Sequence, residues 1–225
     1  YQTVEEFYNS YVDPVKNPGT QGPVWKGLAL TQSTGTVDGR LTNFLVGPQK
    51  KADGSELIDP GVEVTDPTGL KGDPNGPPLT FMPFLNEISP GGLRQSGARI
   101  AKYEFERGGT PNMSNDFVIF RLSDVILSLA EANFRLGKTA EALALVNQIR
   151  ARAGGLQPFT TLTADNLLAE RGREMYVEMT RRQDQIRFKK YGEAWWPFAG
   201  MNRPKKVHAP GSFLEIFPIP QPQLL

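Results

Sequence analysis

Residues 121–154, RLSDVILSLAEANFRLGKTAEALALVNQIRARAG, decide the fold. Leu122, Val125, Ile126, Leu129, Ala130 and Phe134 recur at steps of three and four, which predicts a helix with one apolar face ending at Gly137. Thr139 is a suitable N-cap for a second helix, whose face is Leu143, Val146 and Ile149 and which stops at Gly154-Gly155. The two helices, joined at Leu136-Gly137-Lys138-Thr139, have the form of one helix-turn-helix unit of a solenoid. A single unit of that kind cannot bury its own apolar faces, and repeat proteins need about three or more stacked copies.

Composition narrows the class without choosing within it. The chain has 225 residues, enough for one large domain or two small ones, and Lys+Arg 25 against Asp+Glu 24 gives a net charge of +1. That balance supplies no global field toward nucleic acid or an anionic membrane. The absence of cysteine excludes disulfides, thiolate metal sites and thiol catalysis, and leaves the redox compartment open. No run of about 18 apolar residues is present, so no segment reads as a membrane-spanning helix. The opening YQTVEEFYNSYVDP has no charged region followed by an apolar core, and its helical pattern points to a start within a longer protein.

Residues 1–120 hold 28 of the 42 glycines and prolines, in turn signals such as NPGT, ADGS, GDPNGPP and SPGG. Long helices are not expected there. Thr42 to Val46, Leu79 to Leu85 and Arg99 to Phe105 are candidates for brief strands or packed loops, and Phe44, Phe81, Phe84, Tyr103 and Phe105 favour loops packed on a core over disorder. Beyond residue 154, Thr163 is the N-cap of a third helix expected to run to about Phe188. Its stripe of Leu167, Leu168, Met175, Met179 and Ile186 is sparse and the remainder densely charged. Glu170/Glu174, Arg171/Glu174, Glu178/Arg181, Glu178/Arg182 and Asp184/Arg187 stand at helical-neighbour spacing.

Each candidate for chemistry competes with a plainer role. Glu170 and Glu174 share a helix face and could be imagined as the carboxylate pair of a glycoside hydrolase. Arg171, Arg173, Arg181 and Arg182 lie within a turn, and would keep carboxylates ionised where a general acid needs a raised pKa. An ion-pair network that positions the helix is the better account. The single histidine, His208, lies in a Pro/Gly loop with no nucleophile elbow and reads as a surface residue. Asp73-Pro74-Asn75-Gly76 lacks the third acidic position and closing Glu of a calcium loop and reads as a turn. Residues 181–206 interleave basic and aromatic side chains, but no nucleic-acid-binding motif accompanies them. No catalytic residue, metal site or cofactor is expected. Trp25, Trp195 and Trp196 are candidates for a ligand-facing surface, because aromatic faces stack on the apolar faces of sugar rings; core packing is the competing role.

Three blocks together resemble the C-terminal part of SusD/RagB-like proteins. The first is Arg121-Leu122-Ser123-Asp124-Val125, Ala130-Glu131-Ala132, Leu136-Gly137, Asn147, Arg150 and Arg152-Ala153-Gly154. The second is Glu170-Arg171, Glu174, Glu178, Arg181, Asp184 and Arg187, and the third is Phe217-Pro218-Ile219-Pro220. Gly97-Ala98-Arg99 with Lys102-Tyr103 is consistent with them, whereas Gln185 and Phe188 depart from the family's usual aliphatic residue and Trp. The resemblance implies a mainly α, SusD-like fold: a tetratricopeptide-like helix pair, a charged third helix and long ordered Gly/Pro-rich loops with little β. Residues 1–225 are then the C-terminal part of a single domain, with a loop-rich segment 1–120 and a helical segment and tail 121–225, whose other helix pairs precede residue 1. It implies a non-enzymatic nutrient-binding protein on the outer-membrane surface, lipid-anchored through a segment outside this chain. Such a protein works with a TonB-dependent (SusC-like) transporter on oligosaccharides or, in some branches, peptides. A tetratricopeptide-type interaction module of the cytosol is the alternative that the helix pair alone would support.

Overall fold

The computed structural model describes residues 2–3, 11, 38–51, 53–58, 78–81, 97–103, 116–154, 156–191 and 215–216. The chain forms two compact units, one of Tyr1–Glu104 with Phe198–Met201 and one of Phe105–Pro197 with Asn202–Leu225.

The first unit is short extended pieces around a small core. β1 (Gln2–Thr3), β5 (Ala98–Ile100) and β2 (Phe44–Leu45) form an antiparallel sheet in that order, with Thr3 opposite Ala98 and Phe44 opposite Ile100. β3 (Gly47–Pro48) pairs with β4 (Thr80–Phe81). β2 and β4 lie within two of the three apolar stretches that sequence singles out and β5 overlaps the third, whereas β1 and β3 lie outside them; each strand is only two or three residues long. The surrounding Gly and Pro withdraw backbone donors and torsional stability from anything longer. Tyr11 and Phe44, both buried, meet edge to face at 5.0 Å. Asp38, also buried, caps the 3-10 turn Gly39–Asn43 and holds Arg40 by three side-chain bonds of 2.9, 3.2 and 2.6 Å. Arg99 lies over Phe81 at 4.8 Å, and burial lowers its pKa. Phe84 and Phe105 are outside the described residues.

The second unit is helical: α1 (Leu122–Arg135), α2 (Thr139–Ala153), α3 (Ala164–Glu174) and α4 (Arg181–Arg187). α1 ends in a Schellman arrangement. Gly137 has φ +76°, Lys138 N–H donates to the Asn133 carbonyl at 2.9 Å and Gly137 N–H to the Phe134 carbonyl at 3.1 Å. Thr139 is the first residue of α2 rather than its cap, because the cap position falls to Lys138 once the turn closes this tightly. α3 starts at Thr163 as the sequence indicates: its hydroxyl accepts from Asn166 N–H, and the Asn166 side chain accepts from Thr163 N–H, a capping box. The core joins Leu127 and Ala130 of α1, Ala142, Val146 and Ile149 of α2, Leu162, and Leu167 of α3.

Two expectations are corrected. The buried side of α1 is Ser123, Leu127, Ala130 and Glu131, while Leu122, Val125 and Leu129 are exposed. α1 is apolar nearly all round its first turns, so periodicity alone did not choose a face; Leu127, which sequence reading passed over, is fully buried. The third helix is two helices. The chain turns at 175–180, where Val177 and Met179 take φ of +66° and +61°, a conformation that a continuing helix cannot contain. Met179 consequently points to solvent instead of completing the stripe, while Met175 remains buried.

The return of α4 along α3 depends on Gly172. Arg181 donates from Nη1 to the Leu168 carbonyl at 2.7 Å, and a Cβ on Gly172 would lie 2.7 Å from that same nitrogen. Gly172→Ala is therefore expected to destabilise the protein by about 1–3 kcal/mol through displacement of Arg181. Urea denaturation measures this; a neutral or stabilising effect, as helix propensity alone predicts, would show that Arg181 adjusts freely.

Candidate functional site

The helices of the second unit are joined by carboxylates and guanidinium groups that converge from distant parts of the sequence. Arg121, in extended conformation just before α1, reaches the end of α3. Its Nε donates to both Glu178 oxygens at 2.9 and 2.7 Å, Nη1 to Glu174 Oε1, and Nη2 to the Glu174 main-chain oxygen. Arg152 of α2 also donates to Glu174. One turn earlier, Glu170 Oε2 accepts from Arg150 of α2 at 2.8 Å and from Arg173 at 2.7 Å. Arg150 stacks over the Phe159 ring at 3.8 Å and donates to the Gln157 carbonyl, while Asn147 exchanges two bonds of 2.9 and 2.8 Å with the Phe159 backbone. α2 thereby orders the connection to α3.

On the other side of α3, Arg171 lies 3.0 Å from both Asp124 of α1 and Asp184 of α4. Arg187 of α4 donates to Asp184 at 2.6 Å and bidentately to Glu131 of α1 at 2.8 Å, and Arg135 donates to Glu131 at 2.9 Å. Burial pushes the Glu131 carboxyl up, but the hydrogen bonds from Arg187 and Arg135 outweigh that and hold it below its ordinary value of 4.5. The bond to Glu131, joined by that to Asp184, raises Arg187 against the opposing effect of burial. For Arg121, burial works against the charged form, and the bonds to Glu178 and Glu174 more than offset it.

Of the pairs expected from helical spacing, Asp184/Arg187 is present, while Glu174 and Glu178 meet Arg121 and Glu170 meets Arg150 of α2 as well as Arg173. Glu170 and Glu174 are almost completely buried and their oxygens face arginines. A hydrolase carboxylate pair needs room for a sugar and a water between its members, and this arrangement leaves none. Among the described residues no group of three or more His, Cys, Asp and Glu is placed to hold a metal ion, and no helix is long and apolar enough to cross a membrane. Trp25, Trp195, Trp196, His208, Asp73-Pro74-Asn75-Gly76 and Phe217-Pro218-Ile219-Pro220 lie outside the described residues.

A groove of about 520 Å³ opens between α1 and α4. Its floor is the paired charges Asp124, Arg171, Asp184, Glu131 and Arg187, and its lip is Ile119, Phe120 and Met179, all highly exposed. Sequence reading missed it: the break at 175–180 that brings α4 beside α1 has no Gly or Pro to announce it.

The frame so described lies within the part of the chain that matches a known family. The SusD family profile (SusD_RagB) matches residues 83–223, and the chain belongs to that family. It is similar to the starch-binding protein SusD of Bacteroides thetaiotaomicron, 40% identical over 73 residues, 32% of this chain and 13% of that protein. It is also similar to SusD-like protein P38 of Formosa agariphila, 28% identical over 136 residues, 55% of this chain and 27% of that protein. The aligned region is thus a minor share of each relative's length.

The geometry separates buried from exposed pairs. Glu178 is 2% and Arg121 23% exposed in their side chains, so Glu178→Ala takes one of two carboxylates, with Glu174 the other, from a largely buried guanidinium and is expected to cost about 1–4 kcal/mol. Asp165, 74% exposed and 3.1 Å from Lys190, should cost under about 1 kcal/mol when changed to Ala. Equal losses in urea melts would remove the distinction. Acid provides a second test. Because the folded Glu131 pKa is depressed, its stabilisation is present above 4.5 and is lost as pH falls through the lower, folded value. Glu131→Gln should therefore be less stable than the parent near pH 7, and the gap should narrow as the pH falls below 4.5. A gap between the two that does not narrow with acidification would contradict the assignment.

Proposed function

We propose that residues 1–225 are the C-terminal part of a single SusD-like domain. The whole protein then binds nutrients at the cell surface without covalent chemistry. It captures an oligosaccharide and passes it to a TonB-dependent, SusC-like transporter in the outer membrane, to which it is held near by a lipid anchor outside this chain. The observation that carries this reading is the family match over residues 83–223, with a relative named for binding starch. The match extends far beyond the helix pair, which is why a tetratricopeptide-type interaction module is not the preferred account.

The site geometry supports a binding role. The residues shared with the family, Arg121, Glu131, Arg150, Glu170, Glu174, Glu178, Asp184 and Arg187, are occupied with one another, so none offers a free nucleophile or general acid. Ligand contact falls to residues outside the blocks, and Trp25, Trp195 and Trp196 remain the proposed contacts because a ring face can hold a pyranose while polar neighbours take its hydroxyls.

Affinity electrophoresis and calorimetry of the full-length protein against a polysaccharide panel and a peptide panel test this directly. Retardation by at least one glycan is expected, weakened about tenfold or more in a W195A/W196A variant. Binding confined to peptides would overturn the ligand class, and undiminished glycan binding by the variant would move the contacts elsewhere.

A further inference from the structure

α4 ends on a lysine at the position where α1 ends on a glycine. Gly137 has φ +76°, its N–H donates to the Phe134 carbonyl, and the next N–H, of Lys138, donates to the Asn133 carbonyl. Lys189 repeats that arrangement after α4: its φ is +59°, its N–H donates to the Ile186 carbonyl at 2.9 Å, and Lys190 N–H donates to the Gln185 carbonyl at 2.7 Å. Glycine takes this left-handed conformation freely, whereas a residue with a Cβ is strained in it. The helix dipole does not account for the lysine, since Arg187 already occupies the last turn of α4. Core packing does not account for it either, because Lys189 is exposed. A strained residue that neither packing nor capping requires points to a use in function.

The surroundings of Lys189 are cationic. Arg182 lies over the Tyr191 ring at 5.3 Å, and Lys190 lies 3.1 Å from Asp165, next to the start of α3. That pair is exposed and weak, so an incoming anion can displace Asp165 from it. Asp184, the one carboxylate of α4, is buried and taken by Arg171 and Arg187, and so leaves these cations un-neutralised from their own helix. In the sequence, Trp195 and Trp196 follow Tyr191 within five residues.

We propose that Lys189, with Lys190 and with Arg182 held against Tyr191, forms a site for the carboxylate or sulfate groups of an acidic glycan. Ammonium and guanidinium groups bind either anion through charge-assisted hydrogen bonds, and a neutral glycan gives no reason for a lysine in the left-handed region. The inference rests on the reading of this protein as a glycan binder and narrows its ligand to an anionic class.

Native affinity electrophoresis of the full-length protein in gels containing polygalacturonate, a sulfated galactan or neutral starch tests the site, together with urea denaturation of the same variants. Retardation by polygalacturonate or by the sulfated galactan is expected, and the gel that retards identifies carboxylate or sulfate. It should weaken as NaCl rises from about 0.05 to about 0.5 M, because exposed charges are screened. K189G is expected to weaken the interaction about two- to fivefold, the worth of one exposed charge pair, and K189G/K190Q about tenfold. K189G should at the same time raise the urea midpoint, by placing glycine where φ is positive. Weaker binding by a more stable fold separates a ligand contact from a structural lysine. Retardation by starch alone, acidic-glycan binding unchanged in K189G, or a lowered urea midpoint for K189G would each overturn the proposal. The first of these leaves the broader glycan-binding reading intact, whereas retardation by none of the glycans removes that reading and this site together.

Discussion

One guanidinium group fixes the layout of the helical unit. Arg121 binds the Glu174 carboxylate, the Glu174 main-chain oxygen and the Glu178 carboxylate, and so joins the residue before α1 to the last residue of α3 and to the turn beyond it. A carbonyl taken by a side chain is not available to the next helical N–H, so the clamp favours the end of α3 at Glu174. With Glu178 held on the same guanidinium, the chain is kept in the turn, and Val177 and Met179 accept positive φ on either side of it. Such torsions cost about 1–3 kcal/mol each and persist only when surrounding bonds determine them, which the two charge-assisted bonds to Glu178 do.

The turn in turn sets the position of α4. This helix has seven residues, too few to be stable alone, and its one fully buried side chain is Asp184. Its attachment is therefore largely electrostatic: Asp184 to Arg171, Arg187 to Glu131, and Arg181 to the Leu168 carbonyl. Phe188, just past its end, adds apolar contact with the core and lies between Arg135 and Arg187 at 5.1 and 5.9 Å. Buried ion pairs add little net stability over apolar packing of the same volume, but each is costly to break from one side. A unit built this way exchanges bulk stability for a single permitted arrangement, which suits helices as poor in apolar residues as α3.

Much of this was legible in local sequence where local rules govern. Gly137 and Gly154 end their helices with φ of +76° and +75°, and Thr163 opens α3 with its capping box. The mainly α class, the brevity of the strands and the structural role of Glu170 and Glu174 were likewise visible. What stayed hidden is non-local. Helical spacing pairs Glu174 and Glu178 with arginines a turn away, yet they meet Arg121, more than fifty residues earlier. The face of α1 was misplaced because Leu122-Ser123-Asp124-Val125-Ile126-Leu127 offers apolar residues in nearly every direction. The deciding signal was charge: Asp124 and Glu131 have to reach Arg171 and Arg187.

The same accounting explains why the frame resists substitution. Glu170, Glu174, Asp184 and Glu131 each meet two guanidinium groups, so a change at any one weakens two ion pairs at once, at a cost of about 1–4 kcal/mol. Against a total stability of about 5–15 kcal/mol, few such changes can be tolerated. Side chains that contact a ligand from a loop carry no comparable constraint and can be replaced one at a time. The residues that carry the likeness to SusD-family proteins thus hold the helices of this unit to one another.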